Sequence, residues 1–406
     1  MTLMPLPLYA GLTADEQLGI FQPTPHHCRK VIVSTNIAEA SVTLEGIVYV
    51  IDCGFVKVRA YNPKTGMEAL VVTPLSKASA LQRAGRAGRV RPGKAFRLYT
   101  EETFEKLPDT STPEIQRSNL APVVLQLKAL GIDNVLRFDF LTPPPAELMI
   151  RALELLYSLN ALDDVGRLTM PLGIHLAEFP VDPMLGKILL ASGEFGCSEE
   201  ILSIAAVLSV QNVFIHPSGS KAAAKDQTVM EMRRKFWVEE GDHLSLLNVY
   251  NAFVKHKSGK WCHDRFLNFK ALSRAMSIRQ QLARYLKRCK VPLVSALAAS
   301  SRKTDDDDER CRLEASEKIR KCLTSGYFAQ AARAEPDGSG RFRTIRDNVL
   351  LSIHPDSVLF NRNPQCVVFH EVVETNQAYM RDLTVIEPDW LTELAPHFYE
   401  FKTTKR

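Results

Sequence analysis

The sequence predicts a multidomain fold in which an α/β layer is followed by a helical region and then by a small all-β domain. Two β-branched runs, VIVSTNI at 31–37 and GIVYVI at 46–51, are typical of buried parallel strands. After Pro113 apolar residues recur at helical spacing, and after Cys322 short strand-like runs alternate with turn residues. A chain of 406 residues has room for about two to four domains of ~100–200 residues each.

Composition excludes several classes of protein. With 45% apolar and 24% charged residues, the chain has the composition of a soluble globular protein and no apolar run that could span a bilayer. The segment MTLMPLPLYAGL lacks a basic start and contains Pro5 and Pro7, so we predict neither a signal peptide nor a membrane anchor. The net charge of +5 permits nucleic-acid binding without demonstrating it, and eight scattered cysteines predict a reduced compartment and no metal site.

A β-hairpin is predicted within the first hundred residues. FVKVRAYNPKTGMEALVV, from Phe55 to Val72, contains two extended runs around the turn residues of 62–66. Because the tip carries charge, we expect it to project.

The helical region shows one buried stripe at spacings of four and three, formed by Leu148, Ala152, Leu155, Leu159 and Leu162. The charge-dense run SRKTDDDDER at 301–310 has no apolar residue and predicts a disordered loop. Four later runs, VLLSI, SVLF, CVVFHEVV and YMRDLTVI, predict the strands of a small β-barrel or sandwich.

The run QRAGRAGR, from Gln82 to Arg89, carries the first chemical signal. Its arginines are three residues apart, so on a helix they would share a face, and the glycines would allow close approach. Guanidinium groups bind phosphate oxygens bidentately. A phosphate-binding segment and a solvated basic helix face both fit the run.

Ser34, Thr35 and Asn36 follow a predicted strand. Polar groups at strand ends of open α/β sheets bind ligands, although Ser and Asn also cap helices.

Together the two segments resemble motifs V and VI of the superfamily 2 helicases, specifically the DEAH-box RNA helicases. Further blocks continue the resemblance, among them FPVDP, EGDHLSLLNVY and YMRDLTVIEPDWLTELAPHFY. The resemblance implies five divisions: a partial second RecA-like lobe at 1–112, a winged-helix domain at 113–180, a helical ratchet (HA2) domain at 181–295, an acidic loop or linker at 296–316, and an OB-fold at 317–402. Since the sequence contains no GxxxxGK[ST], DEAH or Ser-Ala-Thr motif, we interpret it as a C-terminal portion that lacks the first RecA lobe.

The resemblance also implies a nucleotide site. Gln82, Arg86 and Arg89 would contact ATP and act in its hydrolysis, with Gln82 orienting water and the arginines stabilising charge. Phe21 would stack on adenine, although packing explains a lone aromatic equally well, and Glu45 would lie near the ribose. Mg²⁺ would accompany ATP in the full-length protein, with its ligands outside this sequence.

Contacts to RNA follow from the same resemblance. The residues that would make them are Ser34, Thr35 and Asn36, then Lys57, Arg59 and Lys64 of the hairpin, and Tyr379 and Arg381 of the last domain. A plain surface hairpin and a structural strand remain alternatives for the last two groups. Arg274, Arg279 and Arg284 either line the RNA channel or form a solvated face.

The resemblance thus predicts an ATP-dependent RNA helicase that translocates 3′ to 5′, acts in pre-mRNA splicing in the nucleus, and has spliceosome components and a G-patch activator as partners. By itself this chain is predicted not to hydrolyse ATP. The alternative function is an RNA- or protein-binding adaptor.

Overall fold

The computed structural model describes residues 1–9, 12, 14–40, 44–215, 222–297, 305–374 and 377–400. Contacts divide the chain into two compact units. The first consists of Met1–Ala60 and Leu70–Arg117, and the second of Tyr61–Ala69 and Ser118–Arg406. Ser41 and Thr43, in the segment between residues 40 and 44, lie outside the described residues.

The first unit is an α/β lobe. Its elements are β1 (Thr2–Leu8), α1 (Ala14–Phe21), β2 (Cys28–Ser34), α2 (Ile37–Ala40), β3 (Tyr49–Asp52), β4 (Phe55–Asn62), β5 (Met67–Pro74), α3 (Lys77–Ala84), β6 (Lys94–Arg97) and α4 (Glu101–Glu105). β1 pairs with β2 and β3 with β6, both in parallel, as the two β-branched runs predict. Ser34 and Asp52 end β2 and β3, so polar groups follow both strands.

Two small apolar clusters stabilise this lobe. One is centred on Leu8, Leu12 and Ile20 under β1 and β2. The other contains Leu75 and Ala80 at the start of α3. Burial of these side chains fixes the helices against the strands and so positions the segments that follow each strand.

The predicted hairpin is present as β4 and β5, which pair in a two-stranded sheet. Its turn begins at Asn62, whose side chain accepts from the amide of Lys64 and whose carbonyl accepts from Gly66. Gly66 has φ +68°, a left-handed conformation that glycine adopts without strain.

The second unit is mainly helical before its barrel. The helices are α5 (Ala121–Ala129), α6 (Ala146–Ser158), α7 (Leu172–Glu178), α8 (Pro183–Ala191), α9 (Ser198–Leu208), α10 (Ala222–Arg234), α11 (Asp242–His256), α12 (Gly259–His263), α13 (Phe269–Arg288) and α14 (Asp305–Tyr327). The predicted stripe of α6 is confirmed, since all five of its residues are buried and the last two follow the helix.

The chain ends in a closed five-stranded barrel and a short helix. The strands are β7 (Ala331–Ala334), β8 (Arg341–Thr344), β9 (Leu350–Ile353), β10 (Cys366–Glu374) and β11 (Ala378–Val385), and α15 spans Pro388–Leu394. Around the barrel the order is β10-β11-β9-β8-β7, which decides between the predicted barrel and sandwich. β9 and β11 are parallel, whereas the other described pairings are antiparallel.

Two sequence predictions are wrong in this unit. The acidic run was expected to be a loop through residue 316, but it belongs to α14, which begins at Asp305. Later turns of this helix bury side chains such as Ala315 and Ile319, and their packing stabilises the helix. SVLF at 357–360 forms turns instead of a strand. The amide of Val358 donates to Asp242 and not to a neighbouring strand. Residues 298–304 of the predicted loop lie outside the described residues.

No helix in the described ranges is both long and apolar enough to cross a membrane.

Candidate nucleotide and RNA site

The turn after β2 presents three polar side chains to solvent. The hydroxyl of Ser34 donates to the carbonyl of Leu8 on β1 at 3.1 Å, and the amide of Thr35 donates to the same carbonyl at 3.1 Å. These bonds fix where β2 ends. The side chains of Thr35 and Asn36 are exposed, so their hydroxyl and amide groups are accessible to a ligand.

Arg83 on α3 connects this turn to the next strand. Its Nε donates to the carboxylate of Glu39 at 2.9 Å, and its Nη1 donates to the carboxylate of Asp52 at 2.8 Å. Burial disfavours the charged guanidinium, but the hydrogen bonds to Glu39 and Asp52 outweigh burial and raise the pKa of Arg83. Arg83 therefore has a structural role.

Asp52 is itself held in place. It is 4% exposed and also accepts from the amide of Gly54 at 3.1 Å and from the hydroxyl of Tyr99 at 3.1 Å. Three donors hold this buried carboxylate in place, so it fixes the orientation of the guanidinium facing it.

The spacing of the three arginines suggested that they share one face of a helix, but they do not all lie on one helix. α3 ends at Ala84, and Arg86 and Arg89 lie in the turns that follow. Amides 86, 87 and 88 bond to the carbonyls three residues earlier. Because three-residue turns align i with i+3, Arg86 still lies above Arg83, and its Nη2 donates to the backbone carbonyl of Glu39.

The three residues predicted to contact ATP differ in exposure. Gln82 and Arg89 are exposed, whereas Arg86 is half-buried and oriented by Glu39. Amide and guanidinium groups are suitable donors to phosphate oxygens.

Phe21 and Glu45 lie elsewhere on the same unit. Phe21 ends α1 and is 52% exposed, and Glu45 is exposed in the turn before β3. Within the described ranges, no hydrogen bond or ring contact joins either residue to the arginine segment.

The hairpin places its three cations differently. Lys57 and Arg59 are exposed on β4, and the carbonyl of Arg59 accepts from Arg117 at 2.8 Å. Lys64 is exposed in the turn.

The expectation that the hairpin tip projects is wrong, because residues 61–69 pack within the second unit. Met67 contacts the barrel core. A β-carbon at Gly66 would lie 2.6 Å from Nη2 of Arg151, which donates to Asp347. Burial raises the pKa of Tyr61, while Arg151 opposes that rise.

On the barrel, Tyr379 and Arg381 are neighbours on β11. Tyr379 packs edge-on against His354, with ring centroids 5.7 Å apart, and Arg381 donates to Glu371 across the sheet at 3.2 Å. Arg381 is exposed and Tyr379 partly buried.

Among the three arginines of α13, Arg279 is structural, since it donates to Ser203 at 2.9 Å and to Glu199. Arg274 and Arg284 are exposed.

Sequence reasoning did not assign roles to Glu39 and Asp52. Both hold Arg83, and Glu39 also orients Arg86. The sequence places an acidic residue at or shortly after the end of each strand, and these carboxylates could have been predicted as partners of the arginines.

The described residues fit the phosphate groups of a magnesium–nucleotide complex, but they do not form a site for its metal ion. Exposed Gln82 and Arg89, with Arg86, suit phosphate oxygens. In the part of the chain that the structure describes, no three His, Cys, Asp or Glu side chains are grouped so that they could hold a metal ion.

An α/β lobe with this arginine segment, followed by a helical region and a closed barrel, defines the C-terminal domains of a helicase. Four family models match in that order: the helicase conserved C-terminal domain at residues 3–91, the winged-helix part of the helicase-associated domain at 152–181, its ratchet-like part at 182–246, and the oligonucleotide/oligosaccharide-binding fold at 319–399. The predicted fold class is confirmed.

Curated relatives make the family specific. Over 397 residues, 97% of this chain, the sequence is 55% identical to "Probable ATP-dependent RNA helicase DHX35" of Homo sapiens, covering 53% of that protein. The protein of the same name from Pongo abelii is also 55% identical over 397 residues, or 52% of its length. A Caenorhabditis elegans homologue is 48% identical over 401 residues, or 98% of this chain and 52% of that protein.

The chain spans about half the length of these relatives. Over nearly all of its own length it is similar to these RNA helicases, as its motifs predicted.

Proposed function

We propose that the protein is an ATP-dependent RNA helicase that moves 3′ to 5′ on RNA as it hydrolyses ATP, and that it acts in pre-mRNA splicing in the nucleus. The names of its relatives support ATP dependence and RNA as the substrate. Spliceosome components and a G-patch activator are the proposed partners. The domain limits at 112, 180, 295 and 317–402 are part of this proposal.

The observation that carries the proposal is the link between the two motifs. Glu39 follows the exposed turn at 34–36 and binds both Arg83 and Arg86. A movement of Arg86 at the phosphates would therefore displace Glu39 and, with it, the turn that we assign to RNA. We propose that this contact is one route by which hydrolysis is coupled to RNA movement.

Within the nucleotide site, Gln82 orients the attacking water, and Arg86 and Arg89 stabilise charge that develops on the phosphoryl group. Phe21 stacks on adenine and Glu45 lies near the ribose. Bound ATP would supply the phosphoryl group, and its Mg²⁺ would be held by residues other than those assigned here.

RNA would be held by its backbone at Ser34, Thr35 and Asn36. The hairpin cations Lys57, Arg59 and Lys64 and the barrel residues Tyr379 and Arg381 add further contacts. Hydroxyl, amide and guanidinium donors of this kind position a strand without reading its sequence.

The test compares RNA-stimulated ATP hydrolysis by this chain with that of a version that carries an upstream RecA-like lobe. We expect hydrolysis only in the longer version. Hydrolysis by the chain alone would contradict the assigned division of the site. Inactivity of both, with RNA binding retained, would favour the adaptor function, for which the closed barrel provides a binding fold.

A further inference from the structure

A second basic surface lies on the helical region and contains none of the residues assigned above. Between residues 255 and 265 the sequence places four lysine or arginine side chains and a single carboxylate, Asp264, in a chain whose net charge is only +5. We call Lys255, His256, Lys257, Lys260, Trp261 and Arg265 the ratchet patch.

Local structure explains why these side chains converge. α11 ends at His256, and Lys257 adopts a left-handed conformation with φ +46° that turns the chain into α12. Ser258 caps α12 by accepting from the amide of Trp261. This tight turn joins the end of α11, which carries Lys255, to the start of α12, which carries Lys260.

An aromatic stack organises the centre of the patch. The rings of His256 and Trp261 lie 4.9 Å apart at 20°, nearly parallel, and the guanidinium of Arg265 lies 4.7 Å from the indole centroid. Phe236 packs edge-on against the same indole at 6.3 Å. Rigid planar groups lose little entropy when another ring stacks on them.

The cations of the patch are available to a partner. Lys255, Lys257 and Lys260 are exposed, and none of them, nor Arg265, forms an ion pair within the described part of the chain. His256 is exposed as well, although Trp261 covers one of its ring faces. Exposed Arg234 and Lys235 precede Phe236 and extend the positive charge.

Cations interleaved with aromatic rings suit a nucleic-acid strand better than an acidic peptide, because phosphates bind the lysines while a base stacks on an exposed ring. We propose that the ratchet patch binds the phosphate backbone of single-stranded RNA, with one base stacked on His256. The proposal rests on the RNA-binding function proposed above but uses none of its residues.

The test measures binding of a fluorescent 20-nucleotide oligouridylate to the full 406-residue chain by anisotropy over a range of salt concentrations. The triple variant K255A/K257A/K260A should raise Kd about tenfold and lower the slope of log Kd against log salt by about 2, since each lost phosphate contact removes ~0.7. The matched control R310A/R312A/K318A removes three exposed cations from α14 and should match the wild type. Circular dichroism establishes that both variants fold.

A second variant tests the stacked base without changing the lysines. H256A should weaken binding of oligouridylate by about threefold or more and leave binding of an abasic strand of equal length unchanged. Equal loss for both strands would overturn the stacking.

Other outcomes overturn the proposal in distinct ways. If the triple variant binds RNA like the control but loses binding of polyglutamate, the patch is a surface for an acidic protein segment. If the triple variant binds like the wild type while N36A loses affinity, the proposed function stands and the ratchet patch is excluded. If the wild-type chain binds no RNA, both proposals fail.

Discussion

Arg83 donates through its Nε to the carboxylate of Glu39 at 2.9 Å, and both side chains are largely buried, with 16% and 14% exposed. The same guanidinium reaches Asp52 at 2.8 Å. One side chain therefore joins α2, α3 and the end of β3. This arrangement holds the proposed RNA turn and the proposed phosphate segment in a fixed relation.

Removing the charge of Glu39 should weaken the lobe. Glu39→Gln keeps the shape but replaces a charge-assisted bond to Arg83 with a neutral one, while Asp52 still holds the guanidinium. We expect a loss of about 1–2 kcal/mol in the free energy of unfolding, measured by urea denaturation. The exposed Glu105→Gln serves as the control, and an equal effect of the two substitutions would contradict the structural role of Glu39.

Gly66→Ala should destabilise the second unit. A β-carbon there meets Nη2 of Arg151 at 2.6 Å, in addition to the strain of a positive φ. We expect about 2–3 kcal/mol of destabilisation from the two effects together, measured as a fall in the urea midpoint. Gly131→Ala, with φ +85° and no atom within 4 Å of the added carbon, is the control for strain alone and should lose about 1 kcal/mol.

The contact between Gly66 and Arg151 can be isolated further. Arg151→Ala in the Gly66→Ala background removes the clash, so the two losses should not add. Full additivity would show that the hairpin tip does not lie against Arg151.

Asp242→Asn should weaken the hydrogen bonds between α11 and the barrel. Its two carboxylate oxygens accept from the amides of Val358 and Leu383 and from the hydroxyl of Ser357. An asparagine must turn its NH₂ group toward one of these donors, which leaves a buried amide without an acceptor. We expect about 2–4 kcal/mol of destabilisation, measured by thermal unfolding, whereas the exposed Glu239→Gln should cause almost none.

His243 makes stability depend on pH. It is fully buried, and its Nδ1 lies 2.8 Å from the hydroxyl of Thr384. Burial, with a smaller contribution from His370, lowers the pKa of His243 from 6.5 to about 3. The folded state therefore binds its proton more weakly than the unfolded state, so its contribution is complete above about pH 6.5 and is lost as pH falls toward 3.

His243→Gln should remove this sensitivity to acid. Relative to the variant, the wild type should lose about 2 kcal/mol of unfolding free energy between pH 6.5 and 5, measured by urea denaturation at each pH. Burial raises the pKa of nearby Asp242 to about 6, which acts in the opposite direction, but that contribution is present in both proteins and cancels. The exposed His263→Gln should show no such difference, and parallel profiles for wild type and His243→Gln would contradict the prediction.

Local patterns predicted much of the fold. β2 and β3 are β-branched runs, α6 carries its stripe at helical spacing, and β10 and β11 are long strands with few interruptions. In each case the sequence pattern and the buried face that it predicts belong to a single helix or strand.

Long-range contacts explain the failures. SVLF has strand propensity, yet its turn is set by Asp242, which is distant in the sequence. The hairpin tip looked solvated because its sequence is polar, but Arg151 and the barrel core hold it.

The candidate site was predictable in its residues but not in its arrangement. Motif resemblance identified Gln82 and the arginines, whereas the end of α3 at Ala84 and the contacts of Glu39 depend on packing between segments far apart in the sequence.

The arginine segment at 82–89 is proposed to act on ATP. The most direct measurement is RNA-stimulated ATP hydrolysis by a version that carries an upstream RecA-like lobe, with Arg89→Ala compared with Arg91→Ala. Both arginines are exposed, but only Arg89 is assigned to phosphate. We predict that Arg89→Ala lowers kcat about 10³-fold with RNA affinity retained, and that Arg91→Ala changes kcat little. Equal activity of the two variants would contradict the account.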